Sequence, residues 1–385
     1  MKRVLVALVL VVFISTAFVG CLGTGQPPGY SAADLNSPAV EYITRSLGTA
    51  PTPQTSTPIT NTWKVEWQMA DVFAGYGGVM LFYANNTGSH HLYVYGITLK
   101  WEGTSLSYGR DAGTDVSPGT MEFIGLLPFG APTAPGIYNY SIFVKIAIKS
   151  LVGGSWYDKG EYRVGEHDAE VQQVHPASSW TTQSNPTRYY NDINARVDYA
   201  RTESIVQTIK QEFPGNYSIL QIAQAYEWVR ANIEYKEEPT GQDNWQSANE
   251  TLTWGTGDCE DHAILVASLI GELGGQARVN IIERHAFPTV FLTDNASELD
   301  AYWAALDSFY WVTTGSLRYN VLKDGLGYWL VADTVGFPYL GGLPAESVYA
   351  EMNGTGGSWG LTQSSFLYKV DATGQTFDGK LFGLF

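Results

Sequence analysis

The chain has 385 residues, of which 44% are hydrophobic and 14% aromatic, a composition that suits folded globular domains. Its formal charge is −16, and Lys and Arg form no cluster, which argues against nucleic acid as a partner because phosphate binding needs grouped cations. Only two cysteines occur, Cys21 and Cys259, so a disulfide framework cannot explain the fold.

The first 21 residues have the pattern of an export signal. Lys2 and Arg3 precede an apolar run that is shorter than the roughly 20 residues a membrane-spanning helix needs. The run ends in Phe18-Val19-Gly20-Cys21, which is similar to a lipobox, although Phe18 stands where leucine is usual. We therefore expect a lipid on Cys21 and a protein anchored to the outer face of the cell membrane. An uncleaved anchor and plain secretion are the alternatives.

Residues 22–62 are rich in Gly, Pro, Ser and Thr, most clearly over 51–58. Such a composition buries too little apolar surface to offset the entropy of ordering it, so we expect a flexible tether.

N-glycosylation sequons are compatible with an exported chain, because acceptor asparagines occupy surface positions in secreted proteins. Chance supplies several sequons in a chain rich in Asn, Ser and Thr, so they are weak support by themselves. The candidates are Asn85, Asn139, Asn216, Asn249, Asn295 and Asn353.

Residues 63–165 alternate between apolar and polar positions with period two, as strands do. Ile142, Val144 and Ile146 fall on one face of such a strand, and turn-forming segments separate the runs. This predicts an immunoglobulin-like β-sandwich of about seven strands, although the Cys and Trp signature of true immunoglobulin domains is absent. Residues 166–189 are expected to be a linker.

Helical periodicity begins after residue 190. Ser218 caps an amphipathic helix, and Asp258 caps a second helix that starts at Cys259 and ends at Gly274. The second helix is apolar on nearly every face over 263–273, which predicts that it is buried.

Cys259 is a candidate nucleophile, because a free thiol in an exported protein is an oxidation liability unless it is used. The alternative is a small core hydrophobe. Its place in the first helical turn favours the thiolate, but Glu260 and Asp261 oppose it by like charge. An imidazole is therefore needed to take the thiol proton. We expect His262 to be a helix-face residue and not this base.

His285 supplies an imidazole between two strand-like runs, 276–282 and 287–293. A third run, 328–333, ends in the carboxylate of Asp333. A helix N-terminal thiol with an imidazole and a carboxylate from neighbouring strands is the arrangement that cysteine acyl transfer requires.

The blocks Gly257-Asp258-Cys259-Glu260-Asp261-His262-Ala263, Gly274 to Val279, His285 to Phe287 and Trp329 to Thr334 resemble the transglutaminase-like superfamily. The resemblance covers roughly residues 190–340. It implies a papain-like α+β domain, placed at 190–345, in which Cys259 is the nucleophile, His285 the base and Asp333 the orienting carboxylate. Residues 346–385 are expected to form a C-terminal extension packed on the core.

The sequence departs from the family pattern at Phe287, where Trp is frequent, and at Thr334, where Pro is frequent. An apparent insertion at 294–327 is either a lid or ordinary core packing. It also carries rivals for the carboxylate role, namely Asp294, Asp307 and Asp324.

For the oxyanion hole we expect the backbone N–H of Cys259 and a side chain from upstream. Tyr235 and Trp254 are both candidates, and core packing is the competing interpretation for each.

The favoured function is thiol-dependent amide or peptide hydrolysis at the cell surface, through a Cys259 thioester and without a cofactor or metal. A protein cross-linking transglutaminase is the second enzyme hypothesis. A non-catalytic surface binding or assembly module is the hypothesis from another class. In the enzyme hypotheses the partner is a protein or peptide substrate.

Overall fold

The computed structural model of the protein describes residues 27–44, 59–173, 180–238, 244–345, 347–350, 358–361 and 364–378. The predicted signal, Cys21 and Asn353 lie outside these residues. Among the residues described, no helix is both long enough and apolar enough to cross a membrane.

The N-terminal part of the fold consists of two β-sheets. One sheet has the strand order β1-β3-β6 and the other β2-β8-β7-β4-β5. The strands are β1 (Trp63–Met69), β2 (Val72–Phe73), β3 (Gly78–Asn86), β4 (Leu92–Trp101), β5 (Ser107–Val116), β6 (Met121–Phe129), β7 (Gly136–Lys149) and β8 (Trp156–Gln172).

The two sheets share one apolar core, as the period-two pattern predicts. Met80 and Phe82 of β3 pack in the same cluster as Ile97 of β4 and Val144 of β7, all fully buried. The domain is therefore a two-sheet sandwich, and its immunoglobulin-like character stays a prediction. Strand β8 continues to Gln172, beyond the expected boundary at 165, because it pairs with β7 along its whole length.

The C-terminal part of the fold packs helices on a six-stranded sheet of order β14-β15-β13-β12-β18-β9. The helices are α1 (Thr187–Asn194), α2 (Tyr199–Glu212), α3 (Ile219–Asn232), α4 (Ala248–Trp254), α5 (Cys259–Leu273) and α6 (Leu299–Phe309). The strands of this part are β9 (Thr181–Ser184), β10 (Glu234–Tyr235), β11 (Thr256–Gly257), β12 (Ala277–Ile282), β13 (His285–Thr293), β14 (Val321–Asp324), β15 (Gly327–Val331), β16 (Ser347–Ala350), β17 (Ser358–Leu361) and β18 (Phe366–Asp371).

Two segments that were expected to lie outside the second domain supply strands of its sheet. Strand β18 comes from the predicted C-terminal extension and pairs with β12, so it lies within the sheet. Strand β9 comes from the predicted linker and pairs in parallel with β18 at the edge. These pairings join residues far apart in sequence, which local periodicity cannot reveal.

Residues 27–44 are fixed on the second domain, so the prediction of a flexible tether over 22–62 is wrong for this segment. Tyr30 donates its backbone N–H to Asp371 at 2.9 Å and its hydroxyl to the carbonyl of Ala372 at 2.7 Å. Its ring stacks on Trp329, and the Arg278 guanidinium also lies 3.5 Å from the centre of the Trp329 ring. Further along, the Ala39 N–H donates to the carbonyl of Tyr217, and the Ala39 carbonyl accepts the N–H of Ile219. We call residues 27–44 the N-terminal strap.

The sandwich also packs directly on the second domain. Phe73 stacks on Phe337 at 6.3 Å between ring centres, and Arg318 lies 4.3 Å above the ring of Tyr76. Phe73, Tyr76 and Leu81 belong to the same buried cluster as the helices of the second domain. The two domains therefore share an apolar interface.

The strap yields a prediction about stability. Tyr30→Ala should lower the free energy of unfolding by about 2–3 kcal/mol, because it removes an aromatic stack and a hydrogen bond that tie the strap to the sheet. Chemical denaturation measures this value. Tyr42→Ala is the matched control, because that ring is 55% exposed and should change stability by less than about 0.5 kcal/mol. Equal effects of the two substitutions would mean that the strap contributes nothing specific.

Candidate active site

Helix α5 places Cys259 at its first position, and the sequence explains both helix ends. The Asp261 carboxylate accepts the N–H of Asp258, which lies immediately before the helix, at 3.3 Å. Gly274 ends the helix with a φ of 100°, a conformation that favours glycine. Nearly every side chain from Glu260 to Leu273 is buried, so the first turn lies inside the protein.

The Cys259 thiol lies between Glu260 and the residue that follows His285. Sγ donates to Glu260 Oε2 at 3.1 Å, and the backbone of Ala286 hydrogen-bonds the sulfur. Burial raises the pKa of Cys259 far above its usual value, and the charge and hydrogen bond of Glu260 raise it further, whereas the Ala286 bond lowers it. The resting thiol is therefore protonated.

His285 begins β13 and is held by Asp333. Its Nε2 lies 2.7 Å from Asp333 Oδ2, and both side chains are almost fully buried. Asp333 also accepts the backbone N–H groups of Val335 at 3.0 Å and Ala345 at 2.8 Å. Burial raises the pKa of Asp333, but the charge and hydrogen bond of His285 and the two N–H groups outweigh it, so the net pKa is lowered. Nδ1 is then the ring nitrogen of His285 that does not contact Asp333.

The three rival carboxylates have other surroundings. Asp307 accepts the Tyr319 hydroxyl and the N–H of Gly315. Asp324 forms ion pairs with Arg278 at 2.6 Å and Lys369 at 2.9 Å. Asp294 is exposed. Of these three carboxylates and Asp333, it is Asp333 that contacts His285.

The two oxyanion candidates differ in position. Strand β10 pairs in parallel with β11, which places Tyr235 beside Gly257 and close to Cys259. Tyr235 is 43% exposed, yet its partial burial first, and then the charge of Cys259, raise its pKa to about 12, so its phenol remains a hydrogen-bond donor. Trp254, at the end of α4, is 61% exposed, and its indole N–H donates to none of the described residues. This arrangement favours Tyr235 over Trp254 as the side-chain donor of the oxyanion hole.

His262 lies on α5 one turn after Cys259 and has a partner that sequence reasoning missed. Its Nδ1 is 2.8 Å from Thr334 Oγ1, and its ring meets that of Tyr235 edge-on. Burial lowers the pKa of His262 to about 4, so the imidazole is neutral at physiological pH. Thr334, where the family pattern often has Pro, provides a hydroxyl that proline lacks.

The acidic residues of the first turn of α5 are also perturbed. Burial raises the pKa of Glu260 to about 8 and that of Asp261 to about 7. The Asp261 carboxylate also accepts the N–H of Gln246 at 2.6 Å, so it joins the segment before α4 to helix α5. Among the described residues, no group of three or more His, Cys, Asp or Glu side chains is arranged to hold a metal ion.

The apparent insertion at 294–327 packs on the core. It forms α6, a loop and β14, and Trp303 stacks on Tyr319 within it at 4.9 Å. Tyr310 is buried and its hydroxyl accepts the N–H of Leu340. These contacts favour the packing interpretation over a lid.

The glycosylation candidates differ in accessibility. Asn139, Asn216 and Asn295 are exposed, and Asn85 and Asn249 are half-buried. The structure is thus compatible with modification at the first three, which stays a prediction.

Comparison with known proteins adds a family assignment for part of the chain. Residues 188–312 match the transglutaminase-like superfamily, so the chain contains a transglutaminase-like domain that includes Cys259 and His285. Asp333 lies beyond the matched residues. No curated protein matches the sequence.

Two solved structures show distant likeness. One is a putative cysteine protease from Cytophaga hutchinsonii, 12% identical, with a TM-score of 0.23, covering 80% of this chain and 89% of that one. The other is the ASH / PapD-like domain of human CEP192, also 12% identical, with a TM-score of 0.19, covering 34% of this chain and all of that one. At these TM-scores neither likeness supports an inference about activity.

His262 generates a prediction with a defined pH dependence. The unfolded imidazole binds a proton near pH 6.5 and the folded one near pH 4, so between these values the unfolded state holds more protons and stability falls as the pH falls. In denaturation curves recorded between pH 4 and 7, the free energy of unfolding of His262→Gln should fall less toward low pH than that of wild type. The same variant should retain the wild-type thiol alkylation rate within about two-fold, because His262 is not the base. A large fall in alkylation would show that His262 takes part in thiol activation.

Proposed function

We propose that this protein is a thiol-dependent acyl-transfer enzyme that hydrolyses amide or peptide bonds. The observation that carries the proposal is the buried pair of His285 and Asp333, 2.7 Å apart, directly before Ala286, whose backbone lowers the pKa of the Cys259 thiol. The transglutaminase-like domain supports a thiol-dependent enzyme class. The substrate and the acceptor of the acyl group belong to the proposal.

The arrangement supports a two-step reaction. His285 Nδ1 takes the Cys259 proton as sulfur attacks the amide carbonyl, and the C=O electron pair moves onto oxygen. In this proposal the Cys259 N–H, at the helix N-terminus, and the Tyr235 hydroxyl donate to that oxyanion. His285 then returns the proton to the departing amine as the C–N bond breaks, which leaves a thioester.

The second step repeats the proton transfers with a new nucleophile. Water gives up a proton to His285 and attacks the thioester carbonyl, and the thiolate leaves and recovers that proton. Asp333 keeps the ring in the required tautomer throughout and stabilises the imidazolium when it forms. A primary amine in place of water would make the same site a cross-linking enzyme.

Variants of the three residues test this proposal. Cys259→Ala should abolish turnover, and His285→Ala should reduce kcat/KM at least about ten-fold more than Asp333→Asn, because the imidazole moves the proton and the carboxylate orients it. Cleavage of a peptide pool followed by mass spectrometry measures hydrolysis.

A labelled primary amine in a parallel reaction detects transfer. Hydrolysis products alone support the peptidase proposal, and covalent amine incorporation supports the cross-linker. Neither product, together with identical alkylation profiles of wild type and His285→Ala, would favour a non-catalytic binding module.

We also propose that the enzyme is held on the outer face of the cell membrane by a lipid on Cys21, as the N-terminal sequence suggests. Cys21→Ser should move the protein from the membrane fraction to the soluble fraction, and mass spectrometry should find lipid on wild-type Cys21. An unmodified Cys21 thiol in membrane-bound protein would exclude this anchor. The prediction is independent of catalysis.

A further inference from the structure

Glu260 contacts the sulfur of Cys259 and has no role in the proposed mechanism. Its Oε2 accepts the thiol proton at 3.1 Å, and its side chain is 9% exposed, so little water competes for the contact. A carboxyl group in direct contact with a nucleophile affects it differently when neutral and when ionised.

The surroundings of Glu260 favour its neutral form. Burial disfavours the carboxylate and outweighs the hydrogen bond from Cys259, which favours it. Asp258, one residue before the thiol, adds like charge and shares a hydrogen bond with Glu260. Two neighbouring carboxyl groups that are shielded from water tend to retain one proton between them. The pKa of Glu260 near 8 means that most molecules carry this proton at pH 7.

The charged and titratable groups around Glu260 come from three sides. Asp258 and Cys259 lie next to it in sequence, and Tyr235 faces it from β10. From the sheet, the backbone of Ala286, which follows His285, acts on the thiol. Asp261 is engaged elsewhere, by the backbone N–H groups of Gln246 and Asp258.

We infer that Glu260 is a catalytic residue that supports the thiolate of Cys259 when its carboxyl is neutral and suppresses the thiolate when its carboxyl is ionised. The inference rests on the proposed role of His285 as the base that receives the thiol proton. When Cys259 transfers its proton to His285 Nδ1, the neutral carboxyl rotates its O–H toward the sulfur and donates a hydrogen bond without losing its proton. The ionised carboxyl can only accept, so it retains the S–H and repels a negative sulfur.

Glu260→Gln tests the inference, because glutamine has the shape of the neutral carboxyl and cannot ionise. Iodoacetamide alkylation of Cys259 should proceed at rates within about two-fold of each other in variant and wild type at pH 6.5. At pH 9 the variant should react about ten-fold faster, since one pKa unit of the thiol corresponds to a factor of ten. Glu237→Gln removes a nearby charge that acts on Tyr235 without touching the sulfur, and it should follow the wild-type curve at both pH values.

The inference would be overturned if the alkylation rates of Glu260→Gln and wild type depended on pH in the same way. It would also be overturned if Glu237→Gln reacted as much faster than wild type at pH 9 as Glu260→Gln does. Repeating the comparison in a His285→Ala background separates this inference from the proposed function, because the charge effect on the thiolate does not require the imidazole. If the alkylation profiles of His285→Ala and wild type are identical, His285 is not the base. The comparison of Glu260→Gln with wild type can still be interpreted in that case.

A measurement on wild-type protein covers the case in which Glu260→Gln does not fold. The infrared band of protonated carboxyl groups should lose intensity between pH 8 and pH 9, above the range in which most of Asp261 ionises, as Glu260 ionises. No loss in this interval would show that Glu260 does not ionise there, and the inference would fail.

Discussion

The nearly complete burial of helix α5 is the constraint on which the rest of the structure depends. The helix is apolar on nearly every face after its first turn and lies between the sheet and the other helices, so its polar first turn is carried into the interior with it. Every ionisable group of that turn is desolvated, and the thiol, two carboxyl groups and one imidazole all respond with shifted pKa values. Reactivity at this position therefore requires partners from elsewhere in the fold.

The sheet positions two of these partners, His285 and Asp333, at neighbouring strands. Strand β13 begins at His285 after a two-residue turn from β12, and Arg284 in that turn has a φ of 66°, which is uncommon for a residue other than glycine. Asp333 follows β15, which pairs with β13, so the carboxylate and the imidazole come from neighbouring strands. Tyr226 of α3 donates to the carbonyls of Asp333 and Phe337 and fixes the segment between them.

The same sheet depends on a buried ionic cluster that contains residues from both ends of the chain. Arg278 of β12 contacts Asp324 and Asp371 at 2.6 Å each, and Tyr30 of the strap bonds the same Asp371. Removing one member of such a cluster leaves an uncompensated buried charge, which costs about 3–5 kcal/mol. The strap and β18 are therefore structural parts of the transglutaminase-like domain, although they lie outside the residues that match the family.

The sequence by itself determined where α5 begins and ends, because Asp258 and Gly274 act on the backbone beside them. It also determined the alternation of the sandwich strands and the order of thiol, imidazole and carboxylate along the chain. The sequence favoured Asp333 over Asp307 and Asp324 because Asp333 ends an apolar strand, but its contact with His285 needed the structure, since strand pairing decides which carboxylate reaches the ring. The docking of residues 27–44, the contact of Glu260 with the sulfur and the hydrogen bond of Thr334 to His262 likewise depended on tertiary packing. Burial and long-range pairing are properties of the assembled chain, and local patterns record neither.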